Sequence, residues 1–422
     1  MGFKQRIKAI LQEKPCPKKI HRGALLAMVQ KSLTPASRFH SRAHKKLSVH
    51  GYNHAQKFFR DAGRSVFSSL FAPIEIVYAH NHYPFMLESL GGVAANFDLA
   101  SDFLTDMERR WYTTDFCSVH RTFISIAHHN LLPTPRFLLS TSLACDGNLK
   151  SFAEVGQFFG RPHLYINVPF GRDREARSYL ARQLKDTSAR IEEITGKRLR
   201  AGALEQAFHY ANRTSSALRE IAELRKNPNP LIYGEEGLTS LLLLWGLFMG
   251  SRSGAVVAEF YRDELLKRSE APSGKIDARK RILWLHLSPF YANSIMRILE
   301  RELGAVVVVD ECNLEVFPEL DPGRPWESLA EKMVIHSWAG PVENRVRKIR
   351  RSIEEYHIDG VVHFSHWGCR QSNGAVRIIR DAVQELDIPF LDLDGDLVDS
   401  RNYADGQYRT RLEGFMEVME GS

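Results

Sequence analysis

Five cysteines, Cys16, Cys117, Cys145, Cys312 and Cys369, are the residues of this 422-residue sequence best suited to metal or redox chemistry. Cys145 closes the apolar run RFLLSTSLAC, and Cys369 follows GVVHFS within His366-Trp367-Gly368-Cys369. If both runs are strands of open parallel sheets, the two thiols lie just beyond carboxyl ends, where ligands of such sheets gather. They come from different halves of the chain, so two facing domains would aim both into one cleft. Cys117, in Asp115-Phe116-Cys117-Ser118, precedes an apolar segment and fits a helix amino terminus, where the dipole and free N–H groups favour a thiolate. Such a trio could share a metal cluster. Its separations of 28 and 224 residues match no local metal motif, however, and two other readings stay open. Cys117 could be a nucleophile with His120 as its base, or the cysteines could be small buried hydrophobes. Cys312, after VVVVDE, is a reserve ligand or an ordinary strand-end cysteine; Cys16 sits in a proline-flanked basic stretch and reads as incidental.

The elements that must position these thiols are legible as short apolar runs alternating with helical patterns. Val66–Ala79 reads as a strand with a loop around Pro73, Arg136–Leu143 and Leu164–Pro169 as two more, with a helix over Asn148–Phe159 between them. A helical stretch from Asp173 to about Leu266 follows, punctuated at Thr195-Gly196, Asn227-Pro228-Asn229-Pro230 and Gly250-Ser251. A second series then runs through strands at Ile282–Leu287, Gly304–Asp310, Gly360–Ser365 and Pro389–Leu393, with helices at Ala292–Leu303, Glu343–Tyr356 and Ala375–Leu386. Near-continuous β-branched runs suit parallel sheets covered on both faces. The expected architecture is α/β: two parallel-sheet domains facing each other, at 65–172 and 281–422, a helical connector at 173–280 and a basic helical arm at 1–64.

Composition narrows the classes. The hydrophobic fraction of 44% and charged fraction of 25% are ordinary for a globular protein, and the longest apolar run, Leu238–Met249, is too short to span a bilayer. Residues 1–64 hold 15 Lys+Arg against 2 Asp+Glu, so the net +7 resolves into +13 there and −6 beyond. That arm could meet RNA, a membrane surface or an acidic partner, or simply be solvated, and no nucleic-acid module accompanies it. An odd number of widely spaced cysteines is not a disulfide framework, and no secretory leader pattern is evident, so a cytoplasmic location is expected.

One resemblance spans residues 65–420. The closing stretch DLDGDLVDSRNYADGQYRTRLEGFMEVME, the Gly-Cys element in HWGCRQSNGAVRIIRDAVQELDIPFL, Pro73-x-Glu75, Cys117-Ser118 and SLACD occur in order. With the connectors INVPFGRDREARSYL and ANRTSSALREIAELRKNPNPLIYGEE, they resemble the 2-hydroxyacyl-CoA dehydratase and benzoyl-CoA reductase family. The resemblance implies two Rossmann-like domains with a [4Fe-4S] cluster between them on Cys117, Cys145 and Cys369, one iron being left open. It implies an anaerobic, radical lyase that removes water from a 2-hydroxyacyl-CoA after one-electron reduction of the thioester to a ketyl. A benzoyl-CoA-type reductase subunit and a non-catalytic cluster-bearing electron-transfer or scaffold subunit are the alternatives. The implied partners are an acyl-CoA, a homologous second subunit (or a second copy of the chain) and a separate ATP-dependent iron–sulfur activator. No Walker A pattern occurs in this chain. Glu75 is the expected acid/base or substrate-positioning residue, with a paired structural carboxylate as its plainer reading. His120 and His366 are expected beside the sulfurs, and Asp396, Asp399 and Arg401 as braces of the domain interface.

Overall fold

The computed structural model describes residues 18–33, 41–271, 275–315 and 317–421. Cys16 lies outside them.

Two four-stranded parallel sheets organise the chain. The first is built from β1 (Ser65–Ser68), β2 (Tyr83–Met86), β3 (Phe137–Thr141) and β4 (His163–Ile166), in the order β2-β1-β3-β4. The second, from β5 (Lys280–Leu285), β6 (Ala305–Asp310), β7 (Gly360–His366) and β8 (Phe390–Gly395), repeats it as β6-β5-β7-β8. Strands such as FLLST and AVVVVD are buried at every position, as sheets covered on both faces require. Between the sheets in sequence lie four helices, Arg174–Thr195, Ala203–Leu224, Gly234–Phe248 and Arg252–Glu270, broken at the turn signals named above.

Two local expectations are corrected. Val66–Ala79 is not one strand: β1 stops at Ser68, and after a turn through Pro73 the segment Ile74–Ala79 is helical. Glu75 therefore lies in the first turn of a helix. The strand Tyr83–Met86 went unread because YPFM is only four residues long and contains a proline. The described part of the basic segment is packed rather than free. Helix Arg42–Arg60 buries Leu47, Ala55 and Phe58, and Phe58 stacks on Phe85 of β2 with ring centroids 4.7 Å apart.

The two halves share one apolar cluster that includes Leu90, Phe123 and Leu138 from the first and Trp284, Phe364 and Val398 from the second. Polar ties set their register. Ser118 Oγ donates to Asp396 Oδ1 at 2.7 Å, and that oxygen also accepts the amides of Val398 and Asp399, both at 2.8 Å. Arg401 donates to Glu108 Oε1 at 2.7 Å and to Asp399. Among the described residues, no helix is long and apolar enough to cross a membrane.

Asp396→Ala leaves two buried amides and the Ser118 hydroxyl without their charged acceptor. It should cost about 2–3 kcal/mol in urea unfolding. A change within ~0.5 kcal/mol would mean that the tie does not hold the halves together.

Candidate active site

Cys145 and Cys369 occupy equivalent places, each just after the third strand of its sheet, β3 or β7. Cys117 is the N-cap residue of helix Ser118–His128. The three thiols lie near enough for their charges to interact. Burial first, then charge repulsion from Cys369 and Cys145, pushes the Cys117 thiol well above its ordinary range. Cys145 is pushed up to about 12 by burial and by Cys369. Cys369 is raised by burial. Opposing this, backbone N–H groups near each sulfur favour its ionised form: Val119 and His120 at Cys117, Gly147 at Cys145, Gln371 and Ser372 at Cys369.

The meeting of the halves depends on Gly368. Its φ is +79°, and a Cβ there would stand 3.0 Å from Asp115 O, Cys117 N and Cys117 Cα. A glycine is needed both for the left-handed backbone and for the close approach. The loop it meets is braced by buried Arg121, whose Nε donates to Phe116 O at 2.8 Å.

Histidines bond the sulfurs across the fold. His366 Nε2 lies 3.3 Å from Cys117 Sγ, while its Nδ1 accepts the Leu397 amide at 3.2 Å, an arrangement that leaves the Nε2–H for sulfur. His120 Nε2 is 3.6 Å from Cys145 Sγ, and its Nδ1 bonds Ser151 Oγ at 2.7 Å. The alternative in which His120 serves Cys117 as a base is not what the fold makes: the helix carries the ring toward Cys145. His286 stacks between His366 and Trp338, with centroids 6.1 Å away on each side. Arg345 lies over Trp338, forks onto Glu311 and donates to Gln371 O at 3.3 Å, bracing the turn after Cys369.

Cys312 is buried in an apolar cluster with Trp245 and Phe317, and Asp310 and Glu311 add to burial in raising its thiol. Glu75 is fully buried; one oxygen pairs with Lys332 and Oε2 has no hydrogen-bond partner. A carboxylate that sequence reasoning missed is Glu88, two residues past β2. Its Oε1 accepts the Leu70 amide at 3.1 Å, and its buried Oε2 has no partner. Burial pushes it up to about 7, and its charge is felt at Cys145.

Among the described residues, no three His, Cys, Asp or Glu groups converge closely enough to hold a single metal ion. Three half-buried thiols with backbone N–H groups near each sulfur, and Arg345 acting on Cys369, fit a soft-metal centre.

Two parallel α/β sheets with a cysteine cleft between their carboxyl edges define the class. The profile described as 2-hydroxyglutaryl-CoA dehydratase, D-component, matches residues 69–419, and the chain belongs to that family. Among its relatives, the (R)-phenyllactyl-CoA dehydratase alpha subunit of Clostridium sporogenes is 21% identical, over 82% of this chain and 85% of that protein. The (R)-2-hydroxyglutaryl-CoA dehydratase subunit alpha of Acidaminococcus fermentans is 24% identical, over 69% of this chain and 62% of its own length. A benzoyl-CoA reductase subunit of Thauera aromatica is 21% identical, over 75% of this chain and 79% of its own.

Gly368→Ala should destabilise the protein by about 1–3 kcal/mol, through φ strain and the clash with the Cys117 backbone. It should also speed alkylation of Cys117 as the two loops part. Unchanged unfolding and alkylation rates would show that the halves do not need this contact.

Proposed function

We propose that this chain is the iron–sulfur subunit of a 2-hydroxyacyl-CoA dehydratase-type enzyme, with Cys117, Cys145 and Cys369 as ligands of a [4Fe-4S] cluster. The observation that carries the reading is the convergence of these three half-buried thiols, two of them bonded by histidines, from both halves of a member of this family. When bound, the cluster supplies a low-potential electron and, through the iron without a protein ligand, a Lewis acid for the thioester carbonyl. The chain's residues supply the rest. His366 donates to Cys117, stabilising negative charge on that sulfur, while His120, whose Nδ1–H goes to Ser151, turns its Nε2 lone pair toward the Cys145 thiol. The apolar surroundings keep water from a substrate radical.

Removal of the β-proton needs a base with an unoccupied oxygen. Glu88 offers one, with Oε1 fixed by Leu70 and Oε2 unpaired. Glu75 is the second candidate. Its pairing with Lys332 suits it to holding the Leu70–Ile74 turn in place, and its own Oε2 keeps a positioning role open. The acyl-CoA substrate, the second subunit, the ATP-driven activator and the cytoplasmic, anaerobic setting belong to the same reading. It is supported by relatives that are named as alpha subunits of dehydratases. The dehydratase reading stands ahead of a reductase because more of the relatives are dehydratase subunits.

Anaerobically purified protein should contain about four irons and four acid-labile sulfides per chain, with an EPR signal on reduction. Cys117→Ser, Cys145→Ser and Cys369→Ser should each lose the iron, and Cys312→Ser should keep it. Iron-free protein that also refuses reconstitution would overturn the assignment.

Glu88→Gln should retain iron while dehydration of a 2-hydroxyacyl-CoA by the assembled, activated enzyme falls by roughly 10²–10⁴-fold, the usual worth of a general base. If Glu75→Gln abolishes turnover and Glu88→Gln does not, the roles are reversed.

A further inference from the structure

A large concavity of the first half lies at the opposite edge of its sheet from the cysteines. Arg64, His82 and Arg136 immediately precede β1, β2 and β3, and all three line a cavity of about 520 Å³. The loop between helices Arg174–Thr195 and Ala203–Leu224 closes it with Lys197, Arg198 and Arg200. Five permanent cations thus line one cavity, and no carboxylate is among its lining residues. Among the described residues, none of the five has an ion-pair partner.

Instead these side chains are held by neutral groups or point outward. Arg64 Nε donates to Asn81 O at 2.7 Å, Arg136 donates to Ile194 O, and Lys197, Arg198 and Arg200 are exposed. Of the acids around the cavity, Glu192 is engaged with the Leu199 amide at 2.7 Å, Asp61 packs beside Gly63, and Glu205 sits in the first turn of the adjoining helix, none of them in an ion pair with the five cations. Helix Ala203–Leu224 begins at Gly202 with no side-chain cap, and Ala203 and Gln206 of its first turn also line the cavity. Burial depresses His82, and Arg64, Arg136 and Lys197 add to that. Uncompensated cations held this close repel one another, and a bound anion relieves that cost.

We propose that this cavity is a second ligand site, separate from the thiol cleft, that takes a small diphosphate-bearing anion of nucleotide size. The volume lies within the range of about 300–1,000 Å³ usual for small-molecule sites. Two arginines fixed at strand starts and three cations on a loop could grip adjacent phosphates from two sides. Strands of four or five residues, at roughly 3.3 Å each, put about 13–17 Å of packed sheet between this cavity and the cysteines. The inference does not rest on the cluster assignment.

The test is calorimetric titration of the full chain, at about 0.15 M salt, with ADP, CoA, inorganic pyrophosphate and inorganic phosphate. The first three should bind, and phosphate at least about tenfold more weakly. The double variant Arg198→Glu/Arg200→Glu, with both changes on exposed loop side chains, should weaken all of them by about tenfold or more with its melting temperature retained. Cys145→Ser should change none of them. Hydrogen exchange should slow at residues 80–83 and 195–200 when ADP is added. Absence of binding, or binding that the double variant leaves intact, would overturn the proposal. So would binding of CoA alone, which would make the cations a grip on the substrate's nucleotide end.

Discussion

Everything at the thiol cleft depends on one backbone contact, Gly368 against Cys117. Because position 368 has no Cβ and a left-handed φ, the turn after β7 can lie on the loop before helix Ser118–His128. That approach lets His366 of the second half bond the sulfur of a cysteine in the first. The site is therefore a property of the docked halves and of neither alone. Most of the docking free energy comes from the shared apolar cluster, since burial of apolar area is the dominant favourable contribution in such packing. The Ser118–Asp396 and Arg401–Glu108 ties cannot rival it in magnitude, but they are directional and fix where Gly368 lands.

Electrostatics then decides which cysteines can work together. Burial raises all three cleft thiols, and Cys117 and Cys145 are raised further by neighbouring sulfur. A state with three thiolates in this cleft is costly unless positive charge joins it, which is the condition a metal centre meets. Nearby backbone N–H groups lower that cost, and at Cys369 so does Arg345. Cys312 differs in its packing, fully buried in an apolar cluster with Trp245 and Phe317. Beside Asp310 and Glu311, its ionised form meets carboxylates as well as burial, so it behaves as a small hydrophobe.

The fold and the thiol trio were legible in sequence for a shared reason. Parallel strands buried on both faces leave near-continuous apolar runs, and residues that follow such runs fall at the ligand-binding edge of the sheet. Cys145 and Cys369 could be placed from that pattern alone. Glu88 could not, because its strand YPFM is too short to announce itself and nothing local reveals that a carboxylate is buried. The histidine pairings were also hidden. His120 lies three residues from Cys117 and His366 three from Cys369, yet each bonds a different cysteine, Cys145 and Cys117 respectively. Sequence proximity fixes which face of a helix a ring leaves from; tertiary packing fixes what it meets.

Charge carries the same lesson further. Read along the chain, the positive balance sits in the first 64 residues and the remainder is net acidic. In the folded protein, one unpaired positive cluster combines Arg64 from the end of that segment with Arg136, Lys197, Arg198 and Arg200 from the acidic remainder. No sequence window contains it, because three parallel strand starts and one interhelical loop assemble it. The first sheet thereby acquires two chemically opposite edges. Its carboxyl edge carries thiols and an unpaired carboxylate that favour a cationic, soft-metal occupant, while its amino edge carries arginines and a lysine that favour phosphates. The two edges stay chemically separate because about 13–17 Å of packed strand lies between them and the loop cations are exposed to solvent, where water and salt screen them.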